Sequence, residues 1–543
     1  LRKREKLMDF KIPKFDYLWQ YVHYWADLDS EFPFIRFKWK KYNAKEFADT
    51  IDHLAEAFLS LGIKKGDTIV TILPMIIEYA LIYLAANSIG AICVPMDVRF
   101  RPADYRRFIP HVAPKLIFLI GKARGYDIAH TIQKLKAEFN SSIKYYMIGK
   151  DDFGIPFETL LEKDYGLKDI VNKRRKELNR DDGALIIFTG GTTGVPKAAL
   201  LTHKNIAQAS YLEASYIHEK GVPLGLKPRF KMINAFPPSH VGGSVEILGT
   251  ILAAGCEIVL QEQWNPYSIL RATKKWNLQL MGGVPTMFAI TLSLPDLDQF
   301  NLSSLVLAIV SGEKLSMELL TGMKDKICQN ILNAYGSTES GPEVTFTDIG
   351  DSLEELANGY IGHLLPDQEI KIVDEDGNEL PPGKIGEMLF KGTLTIPEYY
   401  KMPEENKATF TEDGWCRSGD LGYVTEDGRI YIKGRKKFII RVGSYTVLPS
   451  EVESVIIEHP KVAMVAAVGF PDKIYNEVVW LAVVLESGEK INENELIQLC
   501  KDQLADFKVP KKVIIMDELP LTRLAKVDRP TLLKQLKEEY QPK

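Results

Sequence analysis

Cysteine is scarce in this sequence. Its 543 residues include five, Cys93, Cys256, Cys328, Cys416 and Cys500, scattered and without a C-x-x-C pair. An odd, dispersed set argues against a disulfide framework and against a structural zinc site, and it points to a reducing, cytoplasmic compartment. A long apolar run is also missing. The most apolar stretch, residues 68–96, is broken by Pro74, Glu78, Asn87 and Gly90 before it reaches the ~18–20 residues that a membrane helix needs. The basic start LRKREKLMDF has no apolar region behind it and does not read as a signal peptide. Charge of one sign is not in excess: 68 basic and 72 acidic residues leave −4, so no global basic field exists to hold nucleic acid or an anionic membrane. Neither G-x-S-x-G nor H-E-x-x-H occurs, which removes two common hydrolase signatures.

What is present is ordinary globular composition, 45% hydrophobic and 26% charged, and a length that allows several cores. Short Val/Ile/Leu runs at 68–74, 91–95, 115–121, 183–190, 231–238, 256–260, 278–285 and 305–312 alternate with helix-length spacers. That pattern predicts an α/β protein with mainly parallel, doubly covered sheets. After about residue 370 the pattern changes. EIKIVDEDGNEL (369–380) and GYVTEDGRIYIKGR (422–435) each carry an Asp-Gly turn and read as hairpins. The last hundred residues read as a compact α+β unit. We therefore expect a large N-terminal domain, residues 1–433, of layered α/β subdomains plus a β-rich subdomain, and a small mobile α+β domain, residues 434–543.

The loop FTGGTTGVPK (188–197) follows a strand-like run. Its glycines let backbone N–H groups converge on an anion, its threonines add hydroxyl donors, and Lys197 adds charge. It is not a Walker A loop, because Pro196 precedes the lysine. The plain alternative is a glycine-rich turn that binds nothing.

This loop, with AALLTHKN after it, closely resembles the signature of the adenylate-forming superfamily of acyl-CoA synthetases, aryl-CoA ligases, beetle luciferases and peptide-synthetase adenylation domains. Further motifs follow in the expected order, so the resemblance covers nearly the whole chain. It implies phosphate binding by Thr189, Gly190, Gly191, Thr192, Thr193, Gly194 and Lys197. In NAYGSTES (333–340) it implies a nucleotide site at Asn333, Tyr335, Gly336 and Ser337, with Tyr335 stacking on adenine, Thr338 at the α-phosphate and Glu339 on Mg²⁺, Thr189 assisting. It assigns Asp420 of SGDLGY to the ribose hydroxyls and Arg435 to the nucleotide, and SGEKL (311–315), with Gly312 and Glu313, to the adenine wall. His240 of FPPSHVGG falls on the wall of the acid pocket, with Gly242 and Gly243 leaving room. No Asp stands in that segment to pair a substrate ammonium, which favours an acid without an α-amino group. Lys437 falls on the hinge. Gly443 and Ser444 stand where the family's thiol-tunnel glycine is expected, with the glycine one residue early. Lys526 matches the catalytic lysine, with Ala525 in place of the family's preceding glycine.

The implied reaction is activation of a carboxylic acid by ATP and Mg²⁺ to acyl-AMP, then transfer to coenzyme A. A medium- to long-chain fatty acid is the first expectation and an aryl acid the second. Other readings are a free-standing acyl-AMP ligase that loads a carrier protein, a luciferase-like oxidation, and a nucleotide-binding pseudoenzyme. A peptide-synthetase module is disfavoured because no carrier segment follows Lys526 in the sequence. A homodimer is compatible with the sequence, since it needs only one self-complementary patch.

Overall fold

The computed structural model describes residues 10–189, 196–442, 445–472, 474–522 and 526–540. The expected site residues Gly190, Gly191, Thr192, Thr193, Gly194, Gly443 and Ser444, like Ala525, lie outside these.

Two large sheets dominate. One has eight strands, in the order 398–399, 197–202, 183–189, 92–95, 68–72, 116–120, 144–148, 155–156. From Gly183–Thr189 to Ile155–Pro156 its neighbours run parallel. The other is a thirteen-strand path whose parallel part is Pro33–Phe37, Glu257–Leu260, Lys231–Asn234, Leu280–Gly283, Leu307–Ser311 and Ile331–Ser337. The apolar runs expected as strands all appear in these two sheets. Thr68–Ile72 and Ile92–Pro95 are buried along their whole length, as strands covered on both faces must be.

Side-chain alternation sorts the strands into layers. Ile69, Leu185, Ile258, Leu280, Leu307 and Leu332 face a shared central core with the helices Leu18–Leu28, Ala44–Ser60, Ile77–Ser88 and His203–Gly221. Their neighbours Val70 and Ile186 face an outer core on one side. Ile331, Val259, Met281 and Ala308 face another on the opposite side. The helix Ile77–Ser88 has every residue but Glu78 buried, which fits its place between two sheets: it is apolar nearly all round.

Besides the antiparallel pairs Pro33–Phe37 with Lys40–Asn43 and Gly183–Thr189 with Lys197–Thr202, the parallel run of the second sheet ends earlier than the sequence predicts. Gly341–Phe346 already runs antiparallel to Ile331–Ser337 and carries the path into the strands 360–364, 430–435, 416–424, 386–392 and 368–373. The reversal needs a glycine at 336, where a Cβ would lie 2.0 Å from the Pro342 carbonyl oxygen. The hairpin expected at 422–435 forms, between Cys416–Val424 and Ile430–Arg435. The one expected at 369–380 closes through a single bridge, Val373 with Glu379. The strand Gln368–Val373 instead pairs along its length with Gly386–Gly392. The local Asp-Gly turn is present, with Asp374 accepting from the Asp376 and Asn378 N–H groups. The sheet supplied a longer partner.

Ile430–Arg435 belongs to the large sheet, and Ile440–Val442 to a separate five-stranded sheet. In that small sheet Val479, Leu481 and Val483 face the helices Pro449–Ile457 and Glu493–Gln503. Ala482 faces the opposite side, with Leu532 and Leu536 of Arg529–Tyr540.

Candidate active site

The two large sheets meet where Gly183–Thr189 and Ile331–Ser337 end. The Thr189 hydroxyl donates to Glu339 Oε1 at 2.9 Å, and the Tyr399 hydroxyl donates to the same oxygen at 2.9 Å. Burial and the nearby Glu339 carboxylate both push the Tyr399 phenol well above its ordinary range, so it stays a donor. Glu339 Oε2 has no hydrogen bond to a described residue. Lys197 sits alongside, its Nζ 3.3 Å from Thr409 Oγ1 and 4.7 Å from the Tyr399 ring centre. Among the described residues no three His, Cys, Asp or Glu side chains converge to cage a metal. One oriented carboxylate with an open oxygen suits Mg²⁺, which keeps water and phosphate oxygens in most of its shell. Tyr399 belongs to no motif, and nothing in the sequence signals it.

A second cluster lies on the antiparallel strands. Asp420 and Arg435 are cross-strand partners, and Arg435 Nε lies 2.7 Å from Asp420 Oδ1. The Tyr335 hydroxyl donates to Asp420 Oδ2 at 2.6 Å. Asp420 is 1% exposed. Burial raises its pKa, and Arg435 and Tyr335 work against that rise. Tyr335 is 8% exposed, with its ring 5.7 Å from that of Phe390, so its hydroxyl orients the carboxylate. Its neighbours in the motif hold the turn. The Asn333 amide donates to the Tyr360 carbonyl at 3.0 Å, the Ser337 and Ser340 hydroxyls pair at 2.8 Å, and Thr338 is buried between them.

Lys526 reaches this region from the small sheet's side. The segment around it is closed by Thr522, whose N–H donates to the Lys526 carbonyl at 2.6 Å and whose hydroxyl accepts the Lys526 N–H at 3.2 Å. Lys526 Nζ donates to the Gly312 carbonyl. Gly312 has φ +98°, a left-handed conformation that turns this carbonyl toward the lysine. Burial lowers the Lys526 pKa, Glu313 opposes that, and Arg435 adds to it. Burial raises the Glu313 carboxyl, with Lys526 and Arg529 opposing. Lys437, in the short turn Lys436–Phe438, is likewise lowered by burial and then by Arg435.

His240 Nδ1 accepts the Gly242 N–H at 3.1 Å, so the neutral ring carries its proton on Nε2. Burial, reinforced by Lys526 and Arg99 and opposed by Asp97, brings its pKa down to about 4. The glycines of this region stand at close approaches. A Cβ at Gly243 would meet the Pro237 carbonyl oxygen at 2.4 Å, one at Gly282 the Met232 methyl at 2.9 Å, and one at Gly283 the Phe288 ring at 2.9 Å. These glycines permit close approach where a Cβ would stand, and Gly282 and Gly283 also line a small cavity with Phe236, Met281 and Phe288. Two side chains that the sequence did not single out, Glu246 and Glu343, stand behind His240 and Ser311.

The model of the AMP-binding enzyme family matches residues 22–400, and that of the AMP-binding enzyme C-terminal domain matches 451–526. The chain is 29% identical over 504 residues to a long-chain-fatty-acid–CoA ligase of Bacillus subtilis, with 89% of this chain and 88% of that one covered. It is 28% identical over 507 residues to luciferin 4-monooxygenase of Photuris pensylvanica, covering 92% and 90%. Among solved structures, ATP-bound MatB from Rhodopseudomonas palustris superposes with TM-score 0.80 at 25% identity, covering 96% of this chain and all of that one. The anthranilate CoA ligase AuaEII in complex with anthranoyl-AMP shares the fold, with TM-score 0.83 at 21% identity and 98% of both chains covered. With the first model covering more than half of the chain and the second most of its C-terminal part, the protein belongs to the AMP-binding, adenylate-forming enzymes.

Proposed function

We propose that the protein joins a carboxylic acid to coenzyme A in two steps, with ATP cleaved to AMP and pyrophosphate. The observation that carries this reading is the convergence of Lys526 with Gly312, Glu313 and Asp420, together with the Thr189–Glu339–Tyr399 group at the sheet junction, Arg435 being acted on by both Asp420 and Glu339. A carboxylate and a triphosphate repel each other, so the site must supply positive charge and fixed positions. Lys197 and Lys526 supply the charge. Asp420, held by Tyr335 and Arg435, offers a fixed acceptor to the ribose hydroxyls. Glu339, oriented by two hydroxyls, is the residue that would hold Mg²⁺, which when bound neutralises phosphate charge. The acid is already ionised near neutral pH, so its oxygen attacks the α-phosphorus without a general base, and pyrophosphate leaves. In the second step the thiol sulfur attacks the adenylate carbonyl and AMP leaves. Residues 434–543 would turn about Lys437 between the steps, withdrawing Lys526 and presenting the 443–444 segment.

Relatives named as long-chain-fatty-acid–CoA ligases favour an aliphatic acid, and the anthranilate ligase keeps an aryl acid as the second reading. The test is AMP release from ATP across fatty, aryl and short acids, with and without coenzyme A. Release that depends on both acid and thiol is expected. Release with an acid and a carrier protein, but not with coenzyme A, would overturn the choice of acceptor. No release with any acid would overturn the reaction.

A further inference from the structure

Three carboxyl groups lie together behind the reacting end of the site. Glu213 is on the helix His203–Gly221, Glu246 on the π-helical segment Gly242–Ile247, and Glu343 on the strand Gly341–Phe346, and these three elements pack pairwise against one another. Glu213 is 3% exposed and Glu343 4%. Each has one oxygen, Glu213 Oε1 and Glu343 Oε2, that is buried without a hydrogen-bond partner among the described residues. Their partnered contacts are few: the Thr250 hydroxyl donates to Glu213 Oε2 at 2.7 Å, and the Ser311 hydroxyl bonds the Glu343 carboxyl. Ser311 immediately precedes Gly312, the residue that receives Lys526. Glu246 Oε2 lies 3.1 Å from the place a Cβ on Gly242 would take, where His240 Nδ1 is equally close. The cluster thus continues inward from Lys526 and His240. Among the described residues the one cation acting on Glu246 is Lys526.

Buried carboxyl oxygens left without partners are costly, and a pure hydrocarbon tail beside them would leave them so. Three carboxyl groups near enough to raise one another's pKa suit a donor that carries positive charge.

We propose that the acid activated here carries a basic nitrogen in its tail, held by Glu246 and Glu343 with Glu213 behind them. This rests on the ligase reading above and narrows its substrate class. Burial pushes Glu246 up to about 8, and it pushes Glu213 and Glu343 well above the carboxylate range, Glu246 adding to both. All three carboxyls are thus shifted toward the protonated form, mainly by burial. Entry of an ammonium group ionises one carboxyl, whose proton leaves to solvent, and forms the ion pair that the tertiary structure lacks.

The test uses the full-length enzyme with ATP, Mg²⁺ and coenzyme A. ω-Amino aliphatic acids, aminomethyl aryl acids and α-amino acids are each paired with the acid bearing methyl in place of the amine, and AMP release is followed. The amine member of at least one pair is expected to be preferred by about tenfold or more in kcat/KM, the factor that one charge-assisted hydrogen bond supplies. Glu246→Gln and Glu343→Gln, close in shape, should each reduce that ratio about tenfold. Preference for the methyl member in every pair, in the unmodified enzyme, overturns this proposal and leaves the ligase reading standing. An amine preference unchanged in both variants also overturns it. AMP release with no acid of either series overturns the ligase reading and this one with it.

Discussion

Thr189 and Glu339, 150 positions apart in the chain, meet through a 2.9 Å hydrogen bond at the junction of the two large sheets. One oxygen of the carboxylate accepts from both Thr189 and Tyr399, which leaves the other for the Mg²⁺ that Glu339 is proposed to hold. Glu339→Gln should lower kcat/KM for acid-dependent pyrophosphate exchange by about 10²-fold or more, the scale of losing a transition-state charge stabiliser. It should also raise the Mg²⁺ concentration for half-maximal rate. Exchange with an unaltered Mg²⁺ dependence would remove Glu339 from metal binding.

Lys526→Ala separates the two half-reactions. ATP–pyrophosphate exchange should fall by about 10²-fold or more, while thioester formation from pre-made acyl-adenylate is largely retained. Equal loss in both assays would sink the assignment of Lys526 to the first step alone.

The same lysine predicts an alkaline limit. Its pKa is lowered, mainly by burial, so charge is lost on raising the pH through a value below the ordinary lysine range. Pyrophosphate exchange should decline there, and thioester formation from the adenylate should not. A common alkaline limb in both half-reactions would point to another group.

Tyr335→Phe removes the 2.6 Å bond to a nearly fully buried carboxylate. A hydrogen bond to a charged group is worth about 1.5–3 kcal/mol, so KM for ATP should rise about tenfold or more with kcat less affected. An unchanged KM would mean that Arg435 alone positions Asp420.

His240 links folding to pH. Its folded pKa of about 4 lies below the ordinary 6.5, so protonation favours the unfolded chain. The stability it contributes is fully present above pH 6.5 and is lost as the pH falls toward 4. In His240→Gln the denaturant midpoint should fall less steeply over that window. His203, shifted in the same direction, is present in both proteins, so their difference isolates His240. Parallel curves would refute the linkage.

The parallel strands were readable because strands buried on both faces must be continuously apolar, and Thr68–Ile72 and Leu307–Ser311 carry that composition. The early end of the parallel run was not, since GPEVTF (341–346) is buried throughout and resembles one more parallel strand. The turn at Asp374–Gly377 was legible, but its strand's partner was not. A turn is set by neighbouring residues, whereas Gln368–Val373 chose its partner by what the growing sheet placed beside it.

The candidate site divides in the same way. Lys197, Glu339, Asp420, Arg435 and Lys526 stood out because each sits in a contiguous motif. Tyr399, Glu246 and Glu343 did not, because a lone tyrosine or glutamate carries no local mark of its task. Sequence alone determined the layered α/β architecture and the adenylate-forming motifs, since periodicity and short motifs are local properties of the chain. Only the tertiary structure decided that Gly243 packs against the Pro237 carbonyl and that buried Glu213 and Glu343 lie with half-buried Glu246 behind Lys526. Burial and the cost of an unpaired charge depend on what distant segments bring to the same place.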